Sequence, residues 1–334
     1  MTLKYDDYGN MTEGSYFDEK DNPTKDNEGC VKILIEYDKF GNRIKSCCID
    51  ENGNFKLVGS GYAKQIIKYD DYGNIIESAY FDKESSPVIN NSEGYAKVIS
   101  KYNRFNQPIE KTFFDETGKP MLSKYGCAKD IFKRDDYGNV IESACFNGND
   151  KPTFCKDGFA KVTKKYDPYG NVIEEAYFDE MGNSVRNNEG CSKNIAKFDK
   201  RNIKIEMNCL DEKGNLFRPK ISFKPDEYGN IVESAFFDEK GMPVNSASGF
   251  AKIIKHYDKY GNIITEQLCF DKTGNLTPNN QGIAMLVAVY DRLGNVTEES
   301  YYDENGKQCS ISNKLYAKQT FGYDDCGRLI KTES

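Results

Sequence analysis

The chain has 334 residues, 30% of them charged, with 23 tyrosines, 20 phenylalanines, 28 glycines, no tryptophan and a formal net charge of −7. The aromatic content excludes a disordered chain, and a mild, interspersed charge without a basic tail excludes a typical nucleic-acid-binding protein. No apolar run approaches the roughly 18 residues of a membrane span, and Met1 to Asn10 lack a signal-peptide pattern.

One motif, aromatic-Asp-x-x-Gly-Asn, recurs along the chain at intervals of about 32 residues. Such regularity is typical of an array in which each repeat buries its apolar face against its neighbours. Residues 1–334 are therefore predicted to form a single repeat array of about ten units. The units begin near residues 5, 37, 69, 102, 134, 166, 198, 225, 257 and 290, with a terminal half unit from 323.

Each repeat contains two predicted strands, such as residues 62–69 and 74–81, joined by a turn at 70–73. The aspartate that begins the turn can accept backbone N–H groups, and the glycine that ends it tolerates a positive φ. A second turn of similar composition follows, as at Phe237–Gly241, so two tight reversals per repeat are predicted.

Two eroded repeats carry asparagine at the position of the turn glycine. These residues are Asn106 and Asn202. Asparagine is the next most tolerant residue at positive φ, so both are predicted to keep the left-handed conformation.

Equivalent positions of the repeats form columns that predict the fold. β-branched residues fill the column of Ile76, and aromatic residues or cysteines fill the column of Tyr80. These columns alternate with a polar one, as a strand with one buried face requires. The predicted class is all-β: an elongated tandem-repeat β-hairpin solenoid or a continuous twisted antiparallel sheet.

Two charged columns, through Lys64 and Glu77, run along most of the chain. A two-residue turn loop would place both on one hairpin face, whereas a three-residue loop with a bulge would swap the partners. We favour the first register because it separates charge from core, and we predict a neutral lattice of neighbouring charges. Columns on opposite faces would instead create a basic stripe for an anionic polymer.

The cysteines number eleven, contain no C-x-x-C pair and fall on repeat columns. We therefore predict buried, reduced core residues at Cys48, Cys145, Cys209 and Cys269, without disulfides or metal. Reduced cysteines favour the cytoplasm, although this type of repeat is also compatible with a cell-surface or secreted protein, so localisation stays open.

No catalytic motif is present: the sequence lacks G-x-S-x-G, H-E-x-x-H, a P-loop and G-x-G-x-x-G. His256 occupies a lysine column and is interpreted as a surface variant. The aspartates are interpreted as turn caps, with weak calcium sites as the alternative. Neither an enzyme nor a cofactor is predicted.

Tyrosines at the turn tips are the candidate binding residues, because exposed rings can stack on a ligand. The alternative is that each ring packs against the turn of the next repeat. The candidates are Tyr8, Tyr72, Tyr137, Tyr169, Tyr228 and Tyr260.

The segment Tyr323-Asp324-Asp325-Cys326-Gly327-Arg328-Leu329 resembles the core of bacterial YD (RHS-type) repeats, whose units are shorter. Tyr301 to Lys307 is similar to MORN-like hairpin repeats, and the Tyr-Phe-Asp-x-x-Gly turns resemble the hairpin solenoids of choline-binding and clostridial-toxin repeat regions. These resemblances imply architecture alone.

The predicted function is a non-enzymatic binding or scaffold module, compatible with being part of a larger multidomain protein. It would present a column-repeated surface to a protein partner. The alternative is a carbohydrate-binding repeat module of a bacterial surface or secreted protein, with a glycan as ligand.

Overall fold

The computed structural model describes residues 1–258, 260–311, 316–324 and 326–333, and of residues 264–267 the backbone alone. Every regular element in these residues is a β-strand, so the predicted all-β class is confirmed. The chain forms two compact bodies. The N-terminal body contains residues 1–164 and 176–188, and the C-terminal body contains residues 165–175 and 189–334.

The strands follow one another as antiparallel hairpins. They are β1 (Thr2–Tyr5), β2 (Met11–Ser15), β3 (Lys32–Tyr37), β4 (Arg43–Ile49), β5 (Lys64–Tyr69), β6 (Ile75–Phe81), β7 (Lys97–Tyr102), β8 (Pro108–Phe114), β9 (Lys129–Arg134), β10 (Val140–Phe146), β11 (Lys161–Tyr166), β12 (Val172–Phe178), β13 (Lys193–Phe198), β14 (Lys204–Leu210), β15 (Lys220–Pro225), β16 (Ile231–Phe237), β17 (Lys252–Tyr257), β18 (Ile263–Phe270), β19 (Met285–Tyr290), β20 (Val296–Tyr302), β21 (Lys318–Tyr323) and β22 (Leu329–Glu333). Pairing in chain order connects β1 to β11 and β13 to β22.

The first turn of a repeat is a three-residue loop rather than the predicted two-residue loop. In the third repeat the Gly73 N–H donates to the carbonyl oxygen of Asp70 at 3.1 Å, and the Asp70 N–H donates to that of Asn74 at 3.0 Å. Gly73 has a φ of 84°, a conformation that residues with a Cβ adopt at a steric cost. The loop is thus a tight turn followed by a left-handed residue.

A bulge next to the loop restores the predicted assignment of faces. Lys68 lies opposite Glu77. The next pair is Tyr69 opposite Ile75, so the second strand holds one extra residue. Because alternate residues share a face, Lys64 lies on the same face as Lys68 and Glu77. The predicted sharing of a face by Lys64 and Glu77 is therefore confirmed, through a three-residue loop together with a bulge. The separation from the core is incomplete, because the buried Ala79 lies on that same face.

The eroded turns keep the geometry of the intact ones. Asn106 has a φ of 59° and Asn202 a φ of 63°. The prediction of a left-handed asparagine at both positions is confirmed.

Most repeats have a third tight turn within the described residues, which corrects the prediction of two. At one such turn the Gly61 N–H donates to the carbonyl oxygen of Val58 at 2.9 Å. Third turns of successive repeats stack: the Asn91 N–H donates to the Ser60 carbonyl oxygen at 2.8 Å. A Cβ on Gly94 would lie 2.9 Å from the backbone nitrogen of the next third turn. The sequence analysis predicted no turn in this segment.

The motif tyrosine ties its repeat to the preceding one. The Tyr102 hydroxyl donates to the carbonyl oxygen of Ile75 at 2.9 Å, and three further tyrosines make the same bond to the preceding repeat: Tyr69, Tyr257 and Tyr323. In the fifth repeat, Arg134 replaces the tyrosine and donates from Nε to the carbonyl oxygen of Pro108 at 3.2 Å. The arginine thus preserves the contact although the motif residue is lost.

The core of a repeat is a pair of side chains 18 residues apart. In three repeats the pair is a disulfide: Cys30–Cys48, Cys127–Cys145 and Cys191–Cys209, each with a sequence separation of 18. In other repeats it is a ring pair, with centroids 4.8 to 5.1 Å apart: Tyr62–Tyr80, Tyr95–Phe113 and Phe159–Tyr177. The prediction of reduced cysteines without disulfides is wrong for these three pairs.

The physical reason is that the two cysteine columns are spatial neighbours. The Cα atoms of Cys30 and Cys48 lie 5.3 Å apart, well within the range that a disulfide spans. The predicted burial of Cys48, Cys145, Cys209 and Cys269 is confirmed, and Cys269 is a free thiol packed with Phe250. The argument for a cytoplasmic location rested on reduced cysteines, and the three disulfides remove that basis.

The inter-repeat tyrosine bond gives a first prediction. Tyr102→Phe removes a hydroxyl that donates to a backbone carbonyl, so we expect the free energy of unfolding to fall by about 0.5–1.5 kcal/mol in urea titrations. Tyr72→Phe is the control, because the Tyr72 side chain is 80% exposed. Equal effects of the two substitutions would contradict the role given to the Tyr102 hydroxyl.

Candidate functional site

The predicted tip tyrosines are largely exposed to solvent. The exposed fractions are Tyr8 90%, Tyr72 80%, Tyr137 92%, Tyr169 73%, Tyr228 83% and Tyr260 75%. Three apolar residues occupy the same position in other repeats, with exposed fractions of 73%, 61% and 74% for Phe40, Phe105 and Leu293. The sequence analysis missed these three residues because it selected tyrosines at the turn tips. It did not consider every apolar residue at the equivalent position of the repeat.

The backbone at each tip is held by the turn aspartate. Asp70 Oδ1 accepts hydrogen bonds from the N–H groups of Tyr72 (3.0 Å) and Asn74 (2.9 Å), and Oδ2 accepts one from the Asn74 side chain (2.9 Å). The Asn74 side-chain bond, together with these backbone bonds, holds the pKa of Asp70 below its usual value. The aspartate is therefore a turn cap, and its ionised form is the one that the turn stabilises.

In the N-terminal body five tips follow in successive repeats, and we call them the N-terminal tip row: Tyr8, Phe40, Tyr72, Phe105 and Tyr137. The residue before each ring alternates in charge, since Asp7, Lys39, Asp71, Arg104 and Asp136 precede the five in turn. The two cations lie over their neighbouring rings, at 4.8 Å for Lys39 over Phe40 and 4.6 Å for Arg104 over Phe105. The row thus alternates acidic tyrosine tips with basic phenylalanine tips.

The charged columns lie side by side, as predicted. Glutamates pair with the lysine across their own hairpin at 2.8 to 3.1 Å: Lys4–Glu13, Lys68–Glu77, Lys101–Glu110, Lys133–Glu142, Lys165–Glu174 and Lys197–Glu206. Lysines of the Lys64 column reach the glutamate of the preceding repeat at 2.8 to 3.7 Å: Lys32–Glu13, Lys193–Glu174, Lys220–Glu206 and Lys318–Glu298. Glu13, Glu174 and Glu206 are each shared by two lysines, so the face carries more lysines than glutamates and the prediction of a neutral lattice is wrong.

One repeat reverses the pair without losing it. Lys45 occupies the glutamate column and Glu36 the lysine column, and their side chains lie 2.6 Å apart. Lys64, which follows Lys45, has no column glutamate before it; its ammonium lies 5.0 Å from the centroid of the Phe81 ring. His256, exposed as interpreted, lies opposite a threonine in the register. In these two repeats a change in one column is accompanied by a change at the facing position, whereas Val289 replaces the lysine opposite an unchanged Glu298.

One carboxylate departs from this pattern. Asp130 lies on β9 opposite Cys145 of β10 and opposite Lys111 of β8. Burial raises the pKa of Asp130 to about 6, although Lys111 opposes the shift. An oxygen of Asp130 and the sulfur atoms of Cys127 and Cys145 lie within 4.8 Å of one another. No sequence motif marks this group, because its residues come from two strands and the turn before them.

The N-terminal body also contains an open cleft beside its tip row. The cleft measures about 770 Å³ and is lined by Phe105, Arg104, Glu110, Ile131 and Arg134 among others. It lies between two first-turn hairpins, so its apolar floor is continuous with a ring of the tip row. No α-helix in the part of the chain that the structure describes is long and apolar enough to cross a membrane.

No protein-family model matches the chain, and no curated protein matches it. Among solved structures it is similar to TcdB2-TccC3-TEV, with 13% identity and a TM-score of 0.38 over 98% of this chain and 18% of that chain. It is also similar to the Photorhabdus luminescens Tc holotoxin pore, with 12% identity and a TM-score of 0.33 over 98% of this chain and 20% of that chain. The chain spans about a fifth of the length of these neighbours.

The reversed ion pair Lys45–Glu36 predicts what happens when the charges of the pair Lys68–Glu77 are exchanged. Lys68→Glu and Glu77→Lys should each lower the free energy of unfolding, and the double variant should regain about 0.2–1 kcal/mol relative to additivity. The coupling should shrink in high salt because both groups are partly exposed. Strictly additive effects in low salt would contradict a paired lattice.

The buried carboxylate predicts a pH dependence. The folded-state pKa of Asp130 lies above the unfolded value of about 3.9, so this group lowers stability as the pH rises from about 4 through 6. Asp130→Asn should therefore stabilise the oxidised protein at pH 8, by about 1–2 kcal/mol allowing for solvent screening. At pH 4 the gain should largely vanish. The same gain in urea titrations at both pH values would contradict the charge explanation.

Proposed function

We propose that the array is a non-enzymatic binding or scaffold module that presents its tip rows to a protein partner. The observation that carries the proposal is the exposure of an apolar side chain at one position of successive repeats, from 61% at Phe105 to 92% at Tyr137. Exposed aromatic residues in a series are typical of interaction surfaces. Successive tips are about 10 Å apart, the width of two paired strands, so several could engage one partner together.

The composition of the tips favours a protein over a glycan. Sugar recognition by stacking needs a free ring face, and the Phe40 and Phe105 rings carry a cation over one face. A uniform polymer would also meet alternating charges along the N-terminal tip row. A protein surface can match apolar rings flanked by both signs of charge, because its own charges vary from residue to residue.

The arrangement of polar groups supports a role without catalysis. The lattice carboxylates face lysines, and the turn carboxylates accept backbone N–H groups, as Asp70 does. Each arrangement recurs through the chain, whereas an active site requires distinctive groups gathered at one place. The carbohydrate alternative is favoured by one observation: an exposed aspartate adjoins three tip tyrosines, at Asp7, Asp71 and Asp136.

A peptide-display selection tests the proposal on the N-terminal tip row. Peptides selected against the oxidised wild-type chain should bind the triple variant Tyr8→Ser, Tyr72→Ser, Tyr137→Ser at least about 10-fold more weakly, because truncating a buried interface tyrosine costs on the order of 1–2 kcal/mol. Affinities are measured for individual peptides by surface plasmon resonance.

Tyr125→Ser is the matched control, since Tyr125 is a 60% exposed tyrosine outside the tip row. It should leave the selected affinities unchanged. Peptides that bind wild type and triple variant equally would overturn the proposal. A glycan array on which wild type binds and the triple variant does not would establish the carbohydrate alternative instead.

A further inference from the structure

The disulfide Cys127–Cys145 differs from the other two in the residue beside it. Asp130 lies directly opposite Cys145. The two sulfur atoms and one carboxylate oxygen lie within 4.8 Å of one another. Both cysteines are almost fully buried, with 3% and 4% of their surface exposed. Three potential metal ligands therefore converge at one place in the N-terminal body.

The equivalent positions in the other disulfide repeats supply an internal comparison. Ile33 lies opposite Cys48, and Asn194 lies opposite Cys209. The same cysteine pair thus has an apolar neighbour in one repeat, an amide in another and a carboxylate in the third. A carboxylate is not needed to build this cysteine pair into the sheet.

Asp130 gains little from the protein around it. Within the described residues its carboxylate accepts no hydrogen bond, and Lys111 acts on it through charge alone. A part-buried carboxylate without hydrogen bonds is costly, so a purely structural position would more readily hold the residues found at Ile33 or Asn194. The carboxylate becomes favourable when a cation lies beside it.

We propose that Cys127, Cys145 and Asp130, with the cysteines in the dithiol form, bind one divalent cation of the zinc group, Zn²⁺ or Cd²⁺. Two thiolates and a carboxylate supply three ligands of a four-coordinate site, and water supplies the fourth. Their three negative charges would repel one another without a cation. The disulfide and the metal site are then alternative states of one pair of sulfur atoms.

The chemistry between the two states balances with a phosphine reductant. The phosphine takes an oxygen atom from water and becomes a phosphine oxide, while the disulfide gains two electrons and two protons and becomes two thiols. The cation then replaces both thiol protons, which pass to the solvent, so binding should weaken as the pH falls.

Cadmium titration of the reduced full-length chain tests the site, with the thiolate-to-cadmium charge-transfer absorption as the readout. Wild type should bind one equivalent tightly. Asp130→Asn, which reproduces the Asn194 arrangement, should weaken that binding about 10–100-fold, the loss known for removing even outer-shell groups. Asn194→Asp should create a second tight equivalent at Cys191 and Cys209. All three proteins share the five free cysteines and the four thiols that reduction releases from the other two disulfides, so differences among them report the carboxylate.

Circular dichroism of the same samples decides the case in which reduction disturbs the fold. A β-signal that is lost on reduction and restored by one equivalent of Cd²⁺ in wild type, but not in Asp130→Asn, supports the site, because binding energy then becomes folding energy. Identical cadmium affinities of wild type and Asp130→Asn would overturn the proposal. A lost β-signal that cadmium does not restore in wild type would overturn it as well.

Discussion

Each repeat leaves backbone groups that its neighbour must satisfy, and the rest of the structure depends on this constraint. The Ile75 carbonyl oxygen receives its hydrogen bond from Tyr102 of the next repeat, and the Ser60 carbonyl oxygen receives one from Asn91. These bonds join neighbouring repeats, as expected for an array in which each repeat packs against the next. Arg134 keeps this contact where the tyrosine is lost, whereas Phe198 and Pro225 at the same position have no side-chain donor.

Local turn chemistry made most of the fold predictable. Aspartate and glycine at fixed offsets identified the hairpins, and even the asparagine substitutes at Asn106 and Asn202 were correctly placed. The third turn escaped because its first residue varies, being valine at Val58 and serine at Ser123. Because that turn was not predicted, the sequence did not show that the columns of Cys30 and Cys48, 18 residues apart, are neighbours in space. The disulfides between them were therefore not predicted. A usable signal existed: in three repeats the cysteines of the two columns occur together.

The candidate surface was predictable only in part, because exposure depends on packing between repeats. The sequence identified the tip tyrosines but left open whether they pack or project, and the structure shows that Tyr137 is 92% exposed. The side-by-side placement of lysine and glutamate columns was a sounder inference, since like charges at strand spacing are unfavourable. The reversed pair Lys45–Glu36 shows that the constraint acts on the pair and not on either residue type. Because two lysine columns flank one glutamate column, lysines outnumber glutamates on this face.

The alternation of acidic and basic tips has a consequence for any partner that spans several of them. A partner whose charges complement Asp7, Lys39 and Asp71 in sequence would, after slipping by one repeat, bring like charges together. After slipping by two repeats it would match again, at a displacement of about 20 Å. The alternation of charge would therefore restrict the binding register of such a partner. The partner could bind at every second position along the N-terminal tip row, and charge repulsion would disfavour the positions between.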